Sequence, residues 1–172
     1  MSELMKATGL EKGGIYRNFD SKEQLAAEAF EYAWQAAIDT RRRDLDSISN
    51  SVEWLKQFVD NFINRRPLVP GGCPLLNTAI DSDDGNPKLR AKARQALSAW
   101  LDCMESIAKE GKRRGEIRSD VDSRKLATLI ASTLEGSLMV SRLQKKEDSR
   151  DLAVRHLEEY LETKVRARKS NK

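Results

Sequence analysis

The chain has 172 residues, of which 39% are hydrophobic and 34% charged, with a net charge of +4. That balance supports a folded core. No apolar run nears the roughly 18 residues of a bilayer span, and no N-terminal run reads as a secretory leader, so neither a helical span nor a leader is expected. Cys73 and Cys103 cannot make a disulfide framework and read as reduced thiols of a cytoplasmic protein. The basic charge is a property of the tail: Lys164, Arg166, Arg168, Lys169 and Lys172 lie in the last nine residues, and without them 26 basic residues face 27 acidic ones. This run reads as a solvated end, so bulk charge makes no case for nucleic acid.

In chain order, Ser2–Thr8 reads as a short helix with Leu4 and Met5 on one side. Gly9 suits the position past its end, where the backbone turns to positive φ. A second short helix runs from Lys12 to Asn18, with Ile15 and Phe19 four apart on one face. Two short helices joined by a glycine-bearing turn form a helix-turn-helix, whose second helix enters the DNA major groove. A third helix starts at Ser21, with Gln24 placed to reach back in a capping box.

Thr8-Gly9-Leu10, Lys12-Gly13, Ile15-Tyr16, Phe19, Ser21-Lys22-Glu23 and Leu25 resemble the DNA-binding signature of the tetracycline-repressor (TetR) family. Glu11 stands where Ser or Thr is usual, and Gly14 where Thr, Ser or Ala is usual. The resemblance covers Ser2 to Leu25 and implies a two-part, all-α fold. Residues 1–47 would be a partial helix-turn-helix head with its linking helix, and residues 48–172 a helical effector-binding and dimerisation domain. Family members carry a further helix before the point where this sequence starts, so the head is expected to lack its usual first helix.

The third helix is expected to reach about Leu45, with Leu25, Ala29, Tyr32, Ala33 and Ala36 as its apolar stripe and Phe30 and Trp34 beside it. Arg41-Arg42-Arg43 reads as a solvated helix end favoured by the dipole. Asn50 caps the next helix, which shows Val52, Leu55, Val59, Phe62 and Ile63 on one face, widened by Trp54 and Phe58. Pro67, Pro70, Gly71 and Gly72 break the pattern. A short helix follows over Pro74–Ser82, then a polar turn from Asp81 to Gly85. Asn86-Pro87 is a cap followed by a first-turn proline. The helix it opens carries Leu89, Ala93, Ala96, Leu97, Trp100, Leu101, Met104 and Ile107, and stops at Gly115. Glu116–Val121 is an extended connector. Two last helices, Ser123–Gln144 and Ser149–Ala167, complete the chain.

Little in the sequence supports catalysis. His156 is the only histidine and has no cysteine or second histidine at metal-ligand spacing, so it reads as a surface or interface residue. Asp81, Asp83 and Asp84 read as a solvated turn. Gly13-Gly14 is no phosphate loop. No enzyme activity, metal or cofactor is expected.

The recognition-helix geometry and the resemblance together point to Lys12, Gly13, Gly14, Tyr16, Arg17, Asn18 and Lys22 as DNA contacts. Lys12 can donate to a guanine edge or a phosphate. Tyr16 and Lys22 match family positions that hold phosphates. The resemblance also implies a small-molecule effector, for which Trp54, Phe58, Phe62, Trp100, Cys103, Met104 and Met139 are the candidate lining. It implies a homodimer through the last two helices, with Leu126, Ile130, Thr133, Leu134, Ser137, Leu157, Tyr160 and Leu161 as the candidate interface. The expected function is a regulator, usually a repressor, on double-stranded operator DNA. The alternative is a dimeric helical ligand-binding module without competent DNA binding.

Overall fold

A computed structural model describes residues 2–65, 68–81 and 86–168. Among these residues the chain is all-α. Its helices are α1 (Ser2–Thr8), α2 (Lys12–Tyr16), α3 (Lys22–Arg42), α4 (Ser51–Asn64), α5 (Pro74–Asp81), α6 (Pro87–Arg113), α7 (Ser123–Gln144) and α8 (Asp148–Tyr160), the last prolonged by a π-helical turn, Leu161–Val165. None of the described helices is long and apolar enough to cross a membrane. The acidic turn at Asp83 and Asp84, and the tail residues Lys169 and Lys172, lie outside the described residues.

Local chemistry accounts for the starts of α3, α4, α6 and α7. Ser21 accepts a hydrogen bond from the Gln24 amide at 3.1 Å, while the Gln24 side chain reaches back to the Asp20 amide at 2.8 Å, one residue earlier than an ideal capping box would place it. Asn50 takes the Val52 and Glu53 amides, Asn86 takes the Leu89 amide ahead of Pro87, and Asp122 takes those of Arg124 and Lys125. Gly9 sits at φ +68° after α1. Two helices are shorter than expected. α2 stops at Tyr16, where the Asn18 side chain donates back to the Gly14 carbonyl at 3.0 Å. α3 stops at Arg42, and Asp44 turns the chain at φ +66°.

α4 is the centre of the body. Val52, Leu55, Phe58, Val59, Phe62 and Ile63 are all buried there, against α3, α6, α7 and α8. Trp54 stacks on Phe58 at 5.5 Å between ring centroids, and Phe62 stacks on Trp100 of α6 at 5.4 Å. Offset aromatic stacks of this kind add to simple area burial. α6 comes close to the start of α4 at Gly111: a Cβ there would stand 2.7 Å from the Ser51 Cβ and 2.8 Å from Ile117 Cδ1. α3 faces the core with Phe30, Trp34, Ala37 and Arg41, whereas Tyr32 and Ala29 of the expected stripe are exposed. The true stripe contains an arginine, which hid it from a search for apolar periodicity.

Residues 165–167 are docked, where a solvated tail was expected, while Lys164 and Arg168 are exposed. Arg118 N–H donates to the Val165 carbonyl, and Ala167 N–H donates to the Glu116 carbonyl, each at 2.9 Å. Ile117 and Arg166 form an isolated antiparallel bridge. Arg166 pairs with Glu162 and Glu53, and Lys56 pairs with Glu162. The π turn widens the helix by one residue, Arg166 N–H donating to Leu161 O at 2.9 Å, where it meets the connector.

Candidate nucleic-acid interface and ligand cleft

The head displays its polar residues. Lys12, Gly13, Tyr16, Arg17, Asn18 and Lys22 are exposed, Gly14 is half-buried, and Ile15 is the single buried residue of α2. The Lys12 ammonium lies 6.0 Å from the Tyr16 ring centroid. Gly13 has nothing within 4 Å of a virtual Cβ, so this face is open to a groove. Asn18 spends an amide hydrogen on the Gly14 carbonyl and is thereby oriented. Lys22 opens α3 beside the Ser21 cap. The candidate contacts thus share one continuous stretch, from the start of α2 to the start of α3, with cationic and hydrogen-bonding groups free to meet phosphates.

A cleft of about 680 Å³ lies between α3, the end of α4, the loop before α5, and the junction of α7 and α8. Ala37, Thr40 and Arg41 line it from α3, Phe62 and Ile63 from α4, Pro70 to Gly72 from the loop, and Leu138, Ser141, Arg142, Lys145, Glu147 and Arg150 from the far side. Of the seven residues expected to line an effector pocket, Phe62 alone borders this cleft. Trp54, Phe58, Trp100 and Met104 are buried in the core, where aromatic and thioether bulk serves packing. Cys103 packs at the core's edge, and Met139 is 43% exposed.

Arg41 was not expected here. It is only 6% exposed, and its guanidinium carbon lies 3.8 Å from the Phe62 ring centroid, 5.8 Å from Trp34 and 5.9 Å from Trp100. Its Nη1 has no hydrogen-bond partner among the described residues. The carbonyls of Arg41 and Arg43 accept from the Asn61 side chain, each at 2.9 Å, so α4 holds the end of α3. Nearby, the Cys73 thiol donates to Glu135 Oε1 at 2.8 Å, and Glu135 Oε2 is buried without a partner. Burial pushes the Cys73 thiol up to about 11 and raises the Glu135 carboxyl, the Arg41 charge opposing in both cases. A thiol held so far from its thiolate is a poor nucleophile. Arg41 carries a legible signal after all: it stands four residues past Ala37 and seven past Trp34, on the same face. Asn61 and Glu135, on helices of mixed sequence, carry none.

The last two helices also differ from expectation. Leu126, Ile130, Leu134, Ser137, Leu157 and Leu161 are buried inside the chain's own core, Thr133 and Tyr160 are half-buried, and His156 is exposed on α8. A single strong apolar stripe on a helix is claimed first by its own fold. The surface left for a partner is the opposite face of α7, with Leu129, Ser132, Gly136, Met139 and Leu143, the last 78% exposed, and Leu152 of α8, 62% exposed.

Comparison with known proteins covers both halves of the chain. Residues 51–157 match the family described as "Tetracyclin repressor-like, C-terminal domain", and residues 1–29 match "Bacterial regulatory proteins, tetR family". A TetR transcriptional regulator from Chloroflexus aurantiacus J-10-FL superposes with a TM-score of 0.90 at 44% identity, over 97% of this chain and 85% of that one. A TetR-family regulator from Cytophaga hutchinsonii gives 0.90 at 32% identity, over 98% and 85%. The fatty acid metabolism regulator protein of Bacillus subtilis is 25% identical over 136 residues, 78% of this chain and 69% of its own length.

Proposed function

The chain belongs to the TetR family of DNA-binding transcriptional regulators, and from that premise we propose that it is a repressor whose hold on double-stranded operator DNA is loosened by a small molecule in the cleft beneath α3. The observation that carries this reading is that α3 runs unbroken from Lys22, beside the exposed α2, to Arg41 in the cleft. One element therefore belongs to both candidate sites.

In this reading Tyr16 and Lys22 take backbone phosphates, which fix register. Lys12 and Arg17 reach base edges or phosphates, with Asn18 beside them, and Gly13 and Gly14 let the backbone come close to the groove. The effector binds one head arrangement better than another and shifts the population accordingly. Two copies join along the outward face of α7 together with Leu152, where Gly136 leaves room for close helix approach, and the dimer works in the cytoplasm on a two-fold operator.

The test is fluorescence anisotropy with duplex DNA from the region flanking the protein's own gene. Binding should depend on sequence and weaken by about tenfold or more between 50 and 200 mM salt, as counterion release requires. Lys22→Gln should weaken it across all sequences. Binding indifferent to sequence would overturn the reading. In equilibrium sedimentation, Met139→Glu with Leu143→Glu should give monomers; a dimer that survives both changes refutes the α7 interface.

A further inference from the structure

The cleft is chemically lopsided. Five of its fifteen lining residues are cationic, Arg41, Arg65, Arg142, Lys145 and Arg150, against one acid, Glu147. Two of the five are paired: Arg65 with Asp44 at 2.6 Å and with Asn61, and Arg150 with Glu147 and the Ile63 carbonyl, although Arg150 Nε is buried without a partner among the described residues. Arg142 reaches only the Gly71 carbonyl, and Lys145 has no ion-pair partner among the described residues. Arg41 is the most constrained of them. It is stacked on Phe62, buried, and short of a partner for Nη1. Glu135, the acid whose charge reaches it, makes no hydrogen bond to it among the described residues.

A buried guanidinium with an unfilled donor and no hydrogen-bonded acid is costly, and part of that cost is recovered when an anion arrives. The opposite ligand class is disfavoured, because the aromatic faces of Phe62, Trp34 and Trp100 that could take a cation are already covered by Arg41. Ala37, Ile63, Pro70 and Leu138 supply an apolar wall beside the charge. We propose that the cleft takes a small organic anion whose carboxylate or phosphate is received by Arg41 and whose apolar body lies along that wall. This rests on the reading of the cleft as the effector site.

The test uses the full chain and four matched probes: 4-phenylbutanoate, 4-phenylbutyl phosphate, 4-phenylbutan-1-ol and 4-phenylbutylammonium. Trp34 and Trp100 report arrival by fluorescence, and calorimetry measures affinity. At least one anion should bind about tenfold or more tightly than the alcohol, as a charge-assisted hydrogen bond provides, and the ammonium should bind least. Which anion wins separates carboxylate from phosphate ligands. Arg41→Met, which keeps an apolar contact with Phe62, should abolish the preference for the anion over the alcohol. If that variant fails to fold, Arg41→Lys should retain the preference with several-fold weaker anion binding. An alcohol that binds as well as both anions, a preference that survives Arg41→Met, anion affinity untouched by Arg41→Lys, or no anion binding at millimolar concentration each overturns the assignment. Release of DNA by the alcohol but not the anions would overturn it and leave the effector reading standing. Anion binding through Arg41 without any change in DNA affinity would uphold it and overturn the effector reading.

Discussion

The head, residues 2–20, and α4 each carry seven apolar residues, yet they are held in different ways. α1 buries no residue, and α2 buries Ile15 alone. The ties within the head are local ones: Thr8 Oγ1 to the Leu4 carbonyl at 2.7 Å, the Gly9 amide to the Met5 carbonyl, Asn18 to Gly14. α4 instead buries nine residues and is tied across long sequence separations, by Asn61 to the end of α3 and by the Ser51 amide to Glu116 Oε2 at 2.7 Å. Helices as short as α1 and α2 gain little from their own hydrogen bonds. The head is therefore the region that opens at low cost, and α4 the region that unfolds only with the whole protein.

The largest test of this contrast is Phe58→Ala. Emptying that fully buried site should cost about 3–5 kcal/mol and lower the whole chemical-denaturation midpoint, whereas Leu10→Ala, on an exposed side chain, should leave it unmoved. Gly111→Ala comes next. Crowding Ser51 and Ile117 should cost about 1–3 kcal/mol by the same measurement. A neutral result would show that the α4–α6 approach relaxes freely. Ser21→Ala removes the cap at the seam between the two regions and should cost about 1 kcal/mol, read as faster amide exchange over the first turn of α3. Smallest is Gly13→Ala, which meets open space and should stabilise α2 by up to about 1 kcal/mol. That gain should show as slower exchange in α2 with no change in global stability. Equal protection of α2 and α4 in the unaltered protein would erase the contrast altogether.

Element order and caps were legible in the sequence because they depend on neighbours a few residues apart. Ser21, Asn50, Asn86-Pro87 and Gly9 each act on adjacent amides or turns, and each stands where the pattern placed it. The exposure of the candidate DNA contacts was legible for a similar reason, since they lie on one continuous stretch. The cleft was not. It is assembled from α3, α4, a loop and the α7–α8 junction, and aromatic residues attract notice in a sequence whether they pack a core or face a ligand. Trp54, Phe58 and Trp100 pack; Arg41, which resembles a surface residue by type, is buried because its three-methylene stem lays a flat cation on Phe62. Most of the residues expected at a dimer face are likewise buried in the chain's own core. Leu126, Ile130 and Leu134 make the stronger stripe, and the fold itself consumes it.

Asn61 grips the carbonyls of Arg41 and Arg43, and that grip makes the end of α3 a fulcrum. The 21 residues from Lys22 to Arg42 form a rigid lever about 30 Å long. With its short end pinned in the cleft, a tilt of about 5° sweeps the Ser21 end through about 2.5 Å. That is enough to carry Lys22 in or out of reach of a phosphate oxygen, so a very small adjustment around Arg41 can be read out, magnified, at the opposite end of the same helix.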